Sequence, residues 1–219
     1  MKHNRKKYRQ IIFLALSMFL MGCASVELEE RSFPLVVAVG YEDRKVSYVL
    51  GFTSIEGADG KTPVSSEIPI KKTREETFLE SKQAYESHLN KFVDYNHLKV
   101  LVLEEEVLKE SNIYNEMLDV LAKGDTFPRN TYVCVVDDVE DLMEMEKALP
   151  QDLGTYLEEY LTHHEAKDGH RITLGDLIDE KENKLLALYL PYLEVEDTFV
   201  VWDGYYVVDK NTSFGRFYE

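Results

Sequence analysis

Short apolar runs separated by polar turns predict the strands of this protein. Two β-rich runs, Leu35–Tyr41 and Val46–Phe52, flank the polar residues 42–45, an arrangement that favours a hairpin. The runs Leu98–Leu103 and Tyr132–Val136 are apolar at nearly every position, which is typical of strands covered on both faces of a sheet. We therefore expect one hairpin beside central, buried strands.

A second hairpin is predicted towards the end of the chain. The runs Phe199–Trp202 and Tyr205–Val208 flank Asp203-Gly204, a residue pair that two-residue hairpin turns favour. The apolar run before them, Leu185–Leu190, is expected to end at Pro191.

Apolar residues at helical spacing predict helices between the strands. Thr73 and Glu76 fit a capping box, and the helix expected after them has one polar member, Lys82, on its apolar face. That face comprises Phe78, Lys82, Tyr85, Leu89, Phe92 and Val93. Further amphipathic stretches fall at residues 113–121, 142–149 and 153–161, and a second capping box at Thr173–Asp176 precedes a short helix. The order β-β-α-β-α-β-α-α-α-β-β indicates a single α+β domain with a mixed sheet and flanking helices.

The amino terminus has the organisation of a targeting signal. Five basic residues precede the apolar run Ile11–Met21, which is too short for a membrane span of about 20 residues. The run ends in Leu20-Met21-Gly22-Cys23, which resembles a bacterial lipobox. Leu20 and Gly22 would be recognised by the signal peptidase, and Cys23 would carry the diacylglyceryl group. The alternative is an ordinary secretory signal with a chance cysteine.

Charge divides the chain in the same way. Residues 1–22 contain five basic and no acidic residues, so their removal changes the formal net charge from −16 to −21. This acidity argues against nucleic acid as a partner, because phosphate binding needs a basic face. We expect residues 1–22 to be the signal peptide, 23–32 a lipidated tether and 33–219 the folded domain. With Cys23 lipidated, Cys134 has no partner and is interpreted as a small buried hydrophobic residue.

Candidate chemistry along the chain is sparse. His163, His164, Asp168 and His170 form a histidine cluster, but adjacent histidines at a helix end are typical of a solvated connection rather than a metal site. The acidic runs at 104–106 and 137–141 are typical of helix amino termini, and the second lacks the pattern of a calcium loop. No nucleophile elbow, P-loop or GxGxxG motif is present. We expect no catalytic residues, no metal and no cofactor, and therefore a protein that is not an enzyme.

Five stretches in a fixed order carry a resemblance to a known family. They are Phe33–Gly40, Asn96–Glu105, Asp125–Val133, Ile172–Leu177 with Leu190–Tyr192 beyond it, and Trp202–Lys210. Together with the lipobox they resemble the N-terminal domain of the Ger(x)C family, the lipoprotein subunit of bacterial spore germinant receptors. The chain departs from that family at Ala24, where members often have tryptophan, and at Glu219, beyond which members usually continue.

The resemblance implies a role without catalysis. The protein would be lipid-anchored on the extracytoplasmic face of the cell membrane, at the inner membrane in a spore, and would act in nutrient-triggered germination through integral-membrane receptor subunits. The motif positions Asn96, His97, Lys99, Arg129, Asn130 and Pro191 would be structural or part of an interface. The chain would be a short member that lacks the C-terminal domains.

Two other classes of function stay open from the sequence. An extracytoplasmic solute-binding lipoprotein would show a deep, polar-lined cleft between two lobes. An extracytoplasmic hydrolase would show titratable groups that converge in a pocket.

Overall fold

A computed structural model describes residues 30–52, 55–56, 63–64, 73–123, 126–168, 171–183, 187–209 and 212–217. A compact unit begins at Ser32. The predicted lipobox residues Leu20, Gly22 and Cys23 lie outside the described residues.

The described elements follow the predicted alternation of strands and helices. The strands are β1 (Arg31–Ser32), β2 (Pro34–Glu42), β3 (Lys45–Phe52), β4 (Ile55–Glu56), β5 (Pro63–Val64), β6 (Thr73–Glu75), β7 (Phe92–Val93), β8 (Val100–Glu104), β9 (Tyr132–Val136), β10 (Leu188–Val195), β11 (Val200–Asp209) and β12 (Thr212–Phe217). The helices are α1 (Phe78–Ser87), α2 (Glu105–Lys109), α3 (Ser111–Ala122), α4 (Val139–Glu146), α5 (Leu153–Asp168) and α6 (Leu174–Asn183), with a 3-10 turn at Tyr95–His97.

Eight strands form one mixed sheet in the order β12-β11-β10-β9-β8-β2-β3-β6. The four central strands, β10, β9, β8 and β2, are parallel to one another. The strands on either side pair antiparallel, β11 and β12 beyond β10 and β3 and β6 beyond β2. The predicted α+β fold with a mixed sheet is therefore confirmed.

Helices cover both faces of the central strands, which explains why these strands are apolar throughout. Because successive side chains of a strand point to opposite faces, Leu101 and Val133 pack in the cluster that holds α1, α2, α3 and α6. Their neighbours Val102 and Cys134 pack in the cluster that holds α4 and α5. Cys134 is fully buried, as predicted, and burial raises the pKa of its thiol to about 12.

The first predicted capping box is wrong, whereas the second is confirmed. Thr73 lies in β6 and its hydroxyl donates to the Ser81 carbonyl at 2.8 Å. Helix α1 instead begins after Thr77, whose side chain accepts from the Glu80 N–H. Thr77 and Glu80 repeat the capping-box spacing of Thr73 and Glu76 four residues later. Because residues 73–75 pair with β3 as strand β6, the helix begins at the second of the two boxes. At the second box, the Thr173 N–H donates to Asp176 Oδ2 at 2.8 Å.

The far end of the predicted α1 face is also corrected. Helix α1 ends at Ser87, so Phe92 and Val93 are not helical and form β7. Val93 is buried but Phe92 is 58% exposed, more than any other large hydrophobic side chain in the described residues.

The turn predicted at Asp203-Gly204 is wrong, because both residues lie inside β11. Between the pairs Pro191–Tyr205 and Leu193–Trp202, β11 has one residue more than β10, which is a β-bulge. Gly204 adopts φ 94°, a conformation that glycine takes readily in bulges and in hairpin turns alike. Strand β10 runs through Pro191, where the apolar run was predicted to end, to Val195, and the chain turns at residues 196–199.

Candidate functional site: the amino-terminal edge of the sheet

The parallel strands bring most of the predicted motif positions to one edge of the sheet. Strands β2, β8 and β9 begin side by side, so the Lys99 N–H donates to the Leu35 carbonyl and the Tyr132 N–H donates to the Lys99 carbonyl, both at 2.9 Å. The segments that precede β8 and β9 therefore lie together. We call this side the amino-terminal edge, and the side where the same strands end the carboxyl-terminal edge.

Asn96 and His97 occupy the 3-10 turn that leads into β8. Asp94 caps the turn: its carboxylate accepts from the Asn96 N–H at 3.1 Å and from the Asn96 side-chain amide at 2.7 Å. The His97 ring meets the Phe33 ring edge to face, with 5.1 Å between ring centroids. Both Asn96 and His97 are exposed, so the turn is locally held but presents these side chains at the surface.

Lys99 joins the edge to helix α5. Its Nζ lies 2.8 Å from Glu158 Oε2 and donates to Thr155 Oγ1 at 3.1 Å. Because Lys99 is half-buried, this contact fixes the start of α5 against the strand ends.

Arg129 and Asn130 occupy the loop before β9 and contact the start of α6. The Arg129 guanidinium lies 2.6 Å from Asp179 Oδ1 and donates to the Gly175 carbonyl at 3.3 Å. The Asn130 carbonyl accepts from Arg171 at 3.4 Å, and the Arg171 guanidinium lies 4.6 Å from the centre of the Tyr132 ring. Arg129 therefore satisfies a backbone carbonyl through its bond to Gly175, although its side chain is 56% exposed.

Pro191 does not join this group. It is buried inside β10, next to the register shift at the β11 bulge. The structure therefore brings Asn96, His97, Lys99, Arg129 and Asn130 together and separates Pro191 from them.

The carboxyl-terminal edge contains a buried carboxylate that the sequence pattern did not distinguish. Glu104 is only 7% exposed, and its two carboxylate oxygens accept the N–H groups of Tyr41 at 2.8 Å and Val139 at 3.0 Å. It thus joins the end of β2 to the first residue of α4. Gly40 is required beside it, because a Cβ at that position would lie 2.5 Å from Glu104 Oε2. Glu104 is the last residue of a strand that is otherwise apolar, and this position was the sequence signal that could have indicated its burial.

The acidic runs at this edge begin helices, as predicted. Asp138 caps α4 by accepting from the N–H groups of Glu140 and Asp141, and Glu105 and Glu106 form the first turn of α2. These carboxylates lie at the positive ends of helix dipoles, which favours acidic residues at both positions.

Lys82, the polar member of the α1 face, belongs to a buried network. Its Nζ lies 2.7 Å from Glu86, which accepts the Tyr95 hydroxyl at 2.6 Å. The Tyr95 and Tyr48 hydroxyls bond to each other at 2.9 Å. Burial is the main cause that raises the pKa of both tyrosines well above the ordinary value, so both hydroxyls stay protonated. The network satisfies polar groups inside the α1 interface.

The histidine cluster does not converge on a site within the described residues. His164 stacks on Trp202, with 4.9 Å between ring centroids, and His163 meets His164 edge to face. His170 lies outside the described residues. Among the described residues no group of three or more potential metal ligands comes together.

The described surface includes two grooves. One, of about 560 Å³, lies beside α1 and is lined mainly by polar residues such as Lys45, Glu75 and Glu80. The other, of about 340 Å³, lies between Val49 of β3 and α4. The first groove is open to solvent, and the second is partly enclosed. In the part of the chain that the structure describes, no helix has the length and hydropathy to cross a membrane.

These features define the class of protein: an α+β domain with a mixed sheet, whose candidate surface is a strand edge held by local contacts. The chain belongs to the family described as the spore germination protein N-terminal domain, which it matches over residues 24–195. It is also similar to a solved structure, the crystal structure of the GerBC protein, with 16% sequence identity and a TM-score of 0.42. That similarity covers 82% of this chain and 51% of the GerBC chain, so this chain spans about half of that protein. No curated protein matches the chain.

Proposed function

We propose that the protein is a lipid-anchored lipoprotein of the germinant-receptor C-subunit type, which acts in nutrient-triggered spore germination through protein–protein contacts. It would lie on the extracytoplasmic face of the membrane, the inner membrane in a spore, and associate with integral-membrane receptor subunits. It would have no catalytic role.

One observation carries the proposal. The family match begins at residue 24, immediately after Cys23, and the four residues that end at Cys23 form the lipobox-like sequence Leu20-Met21-Gly22-Cys23. A germination-protein domain that starts directly after a lipidation motif supports a mature protein with Cys23 at its amino terminus. Two acyl chains on that residue would give durable anchoring.

The described geometry supports contact rather than capture or chemistry. Polar groups at the amino-terminal edge bond to one another and to backbone groups, and the polar groove beside α1, within the described residues, is open. A solute-binding protein would place convergent polar groups in a deep cleft.

The anchor is tested by Cys23→Ala, with Cys134→Ser as the matched control. The control removes the other cysteine, which lies in the core, and leaves the lipobox intact. We expect the Cys23→Ala protein to leave the membrane fraction and the control to remain there. Membrane retention of Cys23→Ala would contradict the proposed anchor.

The biological role is tested in the same strains. Spores that carry Cys23→Ala in place of the wild-type gene should respond more slowly to nutrients, while growth of vegetative cells is unchanged. A vegetative growth defect with normal germination would contradict the proposed role.

A further inference from the structure

The two edges of the sheet differ in charge. At the carboxyl-terminal edge, helix starts and the first hairpin present seven exposed carboxylates: Glu42, Asp43, Glu106, Asp137, Asp138, Glu140 and Asp141. The cations among them include Arg44 in the hairpin and Arg74, which pairs with Glu42 and Glu140, but carboxylates are in excess at this edge. At the amino-terminal edge, cations and carboxylates are closer to balance. Lys99 and Arg129 pair with Glu158 and Asp179, and the exposed residues Lys91 and Arg171 add positive charge beside Glu30. The protein is strongly acidic overall, and the repulsion from an anionic surface is therefore greatest at the carboxyl-terminal edge.

The chain enters the domain at the amino-terminal edge. Ser32 precedes β2, and its carbonyl accepts the Asp94 N–H at 2.9 Å, beside the turn that leads into β8. Eight residues separate Cys23 from Ser32. Such a segment reaches about 30 Å at most, which is close to the length of β2, about 30 Å for nine residues. A domain tethered at Cys23 can bring its amino-terminal edge to the membrane far more easily than the opposite edge.

An exposed aromatic residue lies at the same place. Phe92 of β7, which is 58% exposed, is two residues from Asp94, the residue that bonds to Ser32. Its neighbour Lys91 is also exposed. An aromatic ring beside a lysine suits the boundary between lipid headgroups and acyl chains, where the ring is buried and the ammonium group meets phosphate.

We propose that the amino-terminal edge docks on the phospholipid surface, with Phe92 inserted at the headgroup level and the acidic carboxyl-terminal edge pointing away. This orientation rests on the proposed lipid anchor at Cys23. The contact itself needs little affinity, because a short tether holds the edge near the surface at a high effective concentration. In this orientation the amino ends of the parallel strands face the bilayer, and the acidic carboxyl-terminal edge is available for contacts away from it.

The test measures which edge lies near lipid. Phe92→Cys and Phe199→Cys are matched variants, since Phe199 is 46% exposed and lies in the turn after β10 at the carboxyl-terminal edge. Each full-length lipoprotein is labelled at the new cysteine with an environment-sensitive fluorophore. Cys134 is fully buried and resists labelling in the folded protein. The labelled proteins are reconstituted into vesicles of phosphatidylethanolamine and phosphatidylglycerol, with or without lipids brominated near the headgroup.

We expect bromolipid quenching at position 92 to exceed that at position 199 by at least about threefold, because β2, which runs from one edge to the other, is about 30 Å long. Circular dichroism confirms that both labelled variants are folded. Co-flotation with vesicles but equal quenching at the two positions, or stronger quenching at 199, would overturn the orientation while the anchor stands. This is also the result expected if the edge instead binds a protein partner. Failure to float with vesicles would overturn the anchor and this inference together.

Discussion

Replacing Glu104 with glutamine nearly preserves the shape of the side chain but removes its charge and one acceptor oxygen. In the native protein both carboxylate oxygens accept backbone N–H groups, from Tyr41 and Val139, in a site that is 7% exposed. A hydrogen bond to a charged group contributes about 1.5–3 kcal/mol. The glutamine would keep one weaker bond and place an amide donor against the other N–H, so we expect a loss of about 3 kcal/mol.

The assay is equilibrium unfolding in urea, followed by circular dichroism and supported by thermal melts. For a domain of this size, about 3 kcal/mol corresponds to a fall in Tm of about 6–12 °C. Glu106→Gln is the matched control, because Glu106 lies two residues away and its side chain is 55% exposed in a surface ion pair with Lys109. The control should change stability by no more than about 0.5 kcal/mol.

A second substitution tests the same site from the other side. Gly40→Ala would place a Cβ 2.5 Å from both Glu104 Oε2 and Ser47 Oγ, and so displace the carboxylate. The double variant Gly40→Ala/Glu104→Gln should lose less stability than the sum of the single variants, by at least about 1 kcal/mol. Additive losses, or a Glu104→Gln variant as stable as the Glu106→Gln control, would refute this account of the site.

Three further predictions concern other positions. In the Cys23→Ala variant, Cys134 is the only thiol. Because this thiol is buried and its pKa is raised to about 12, it should react with a disulfide reagent at pH 8 at least about a thousandfold more slowly in the folded protein than in the unfolded chain. Burial raises the pKa of Glu146 above 4.5, and a hydrogen bond from the Leu153 backbone only partly offsets it. The folded state therefore holds this proton more tightly than the unfolded chain, and the free energy of unfolding that this group contributes falls as pH rises above 4.5. The Glu146→Gln variant should lack that part of the fall in free energy of unfolding, measured by urea unfolding at a series of pH values. Gly204→Ala should cost about 1–2 kcal/mol in urea unfolding, because φ 94° is strained for alanine.

Each of these has a distinct contrary result. Rapid modification of Cys134 in the folded protein would show that the core beneath α5 opens readily. An unchanged pH profile in Glu146→Gln would show that another group causes the decline. A Gly204→Ala variant as stable as the native protein would show that Gly204 does not adopt the positive φ of this bulge.

The apolar runs predicted the centre of the fold because strands covered on both faces leave a simple pattern. Leu101 and Val102 point to opposite helix layers, so both positions must be apolar. Local turn chemistry was less decisive. Asp203-Gly204 satisfies a turn and a bulge equally well, and only pairing of β11 with β10 and β12 selects the bulge.

The candidate edge was partly predictable. Asn96 and Arg129 both precede apolar strands, and parallel strands begin at the same edge, so the order of elements already implied their proximity. The partners Glu158 and Asp179 were not predictable, because they depend on the directions in which α5 and α6 cross the sheet. Glu104 was missed because its sequence neighbours, Glu105 and Glu106, are ordinary residues of a helix start.

The proposed role of this domain is in nutrient-triggered germination. The most direct test follows nutrient-induced germination of spores that lack the gene, with the gene restored in a matched strain and any related copies removed from both. Spore viability after enzymatic opening of the cortex serves as the control. We expect slow or absent germination in the deletion strain, full recovery on restoration and equal viability in the control. Normal nutrient-induced germination in the deletion strain would contradict it.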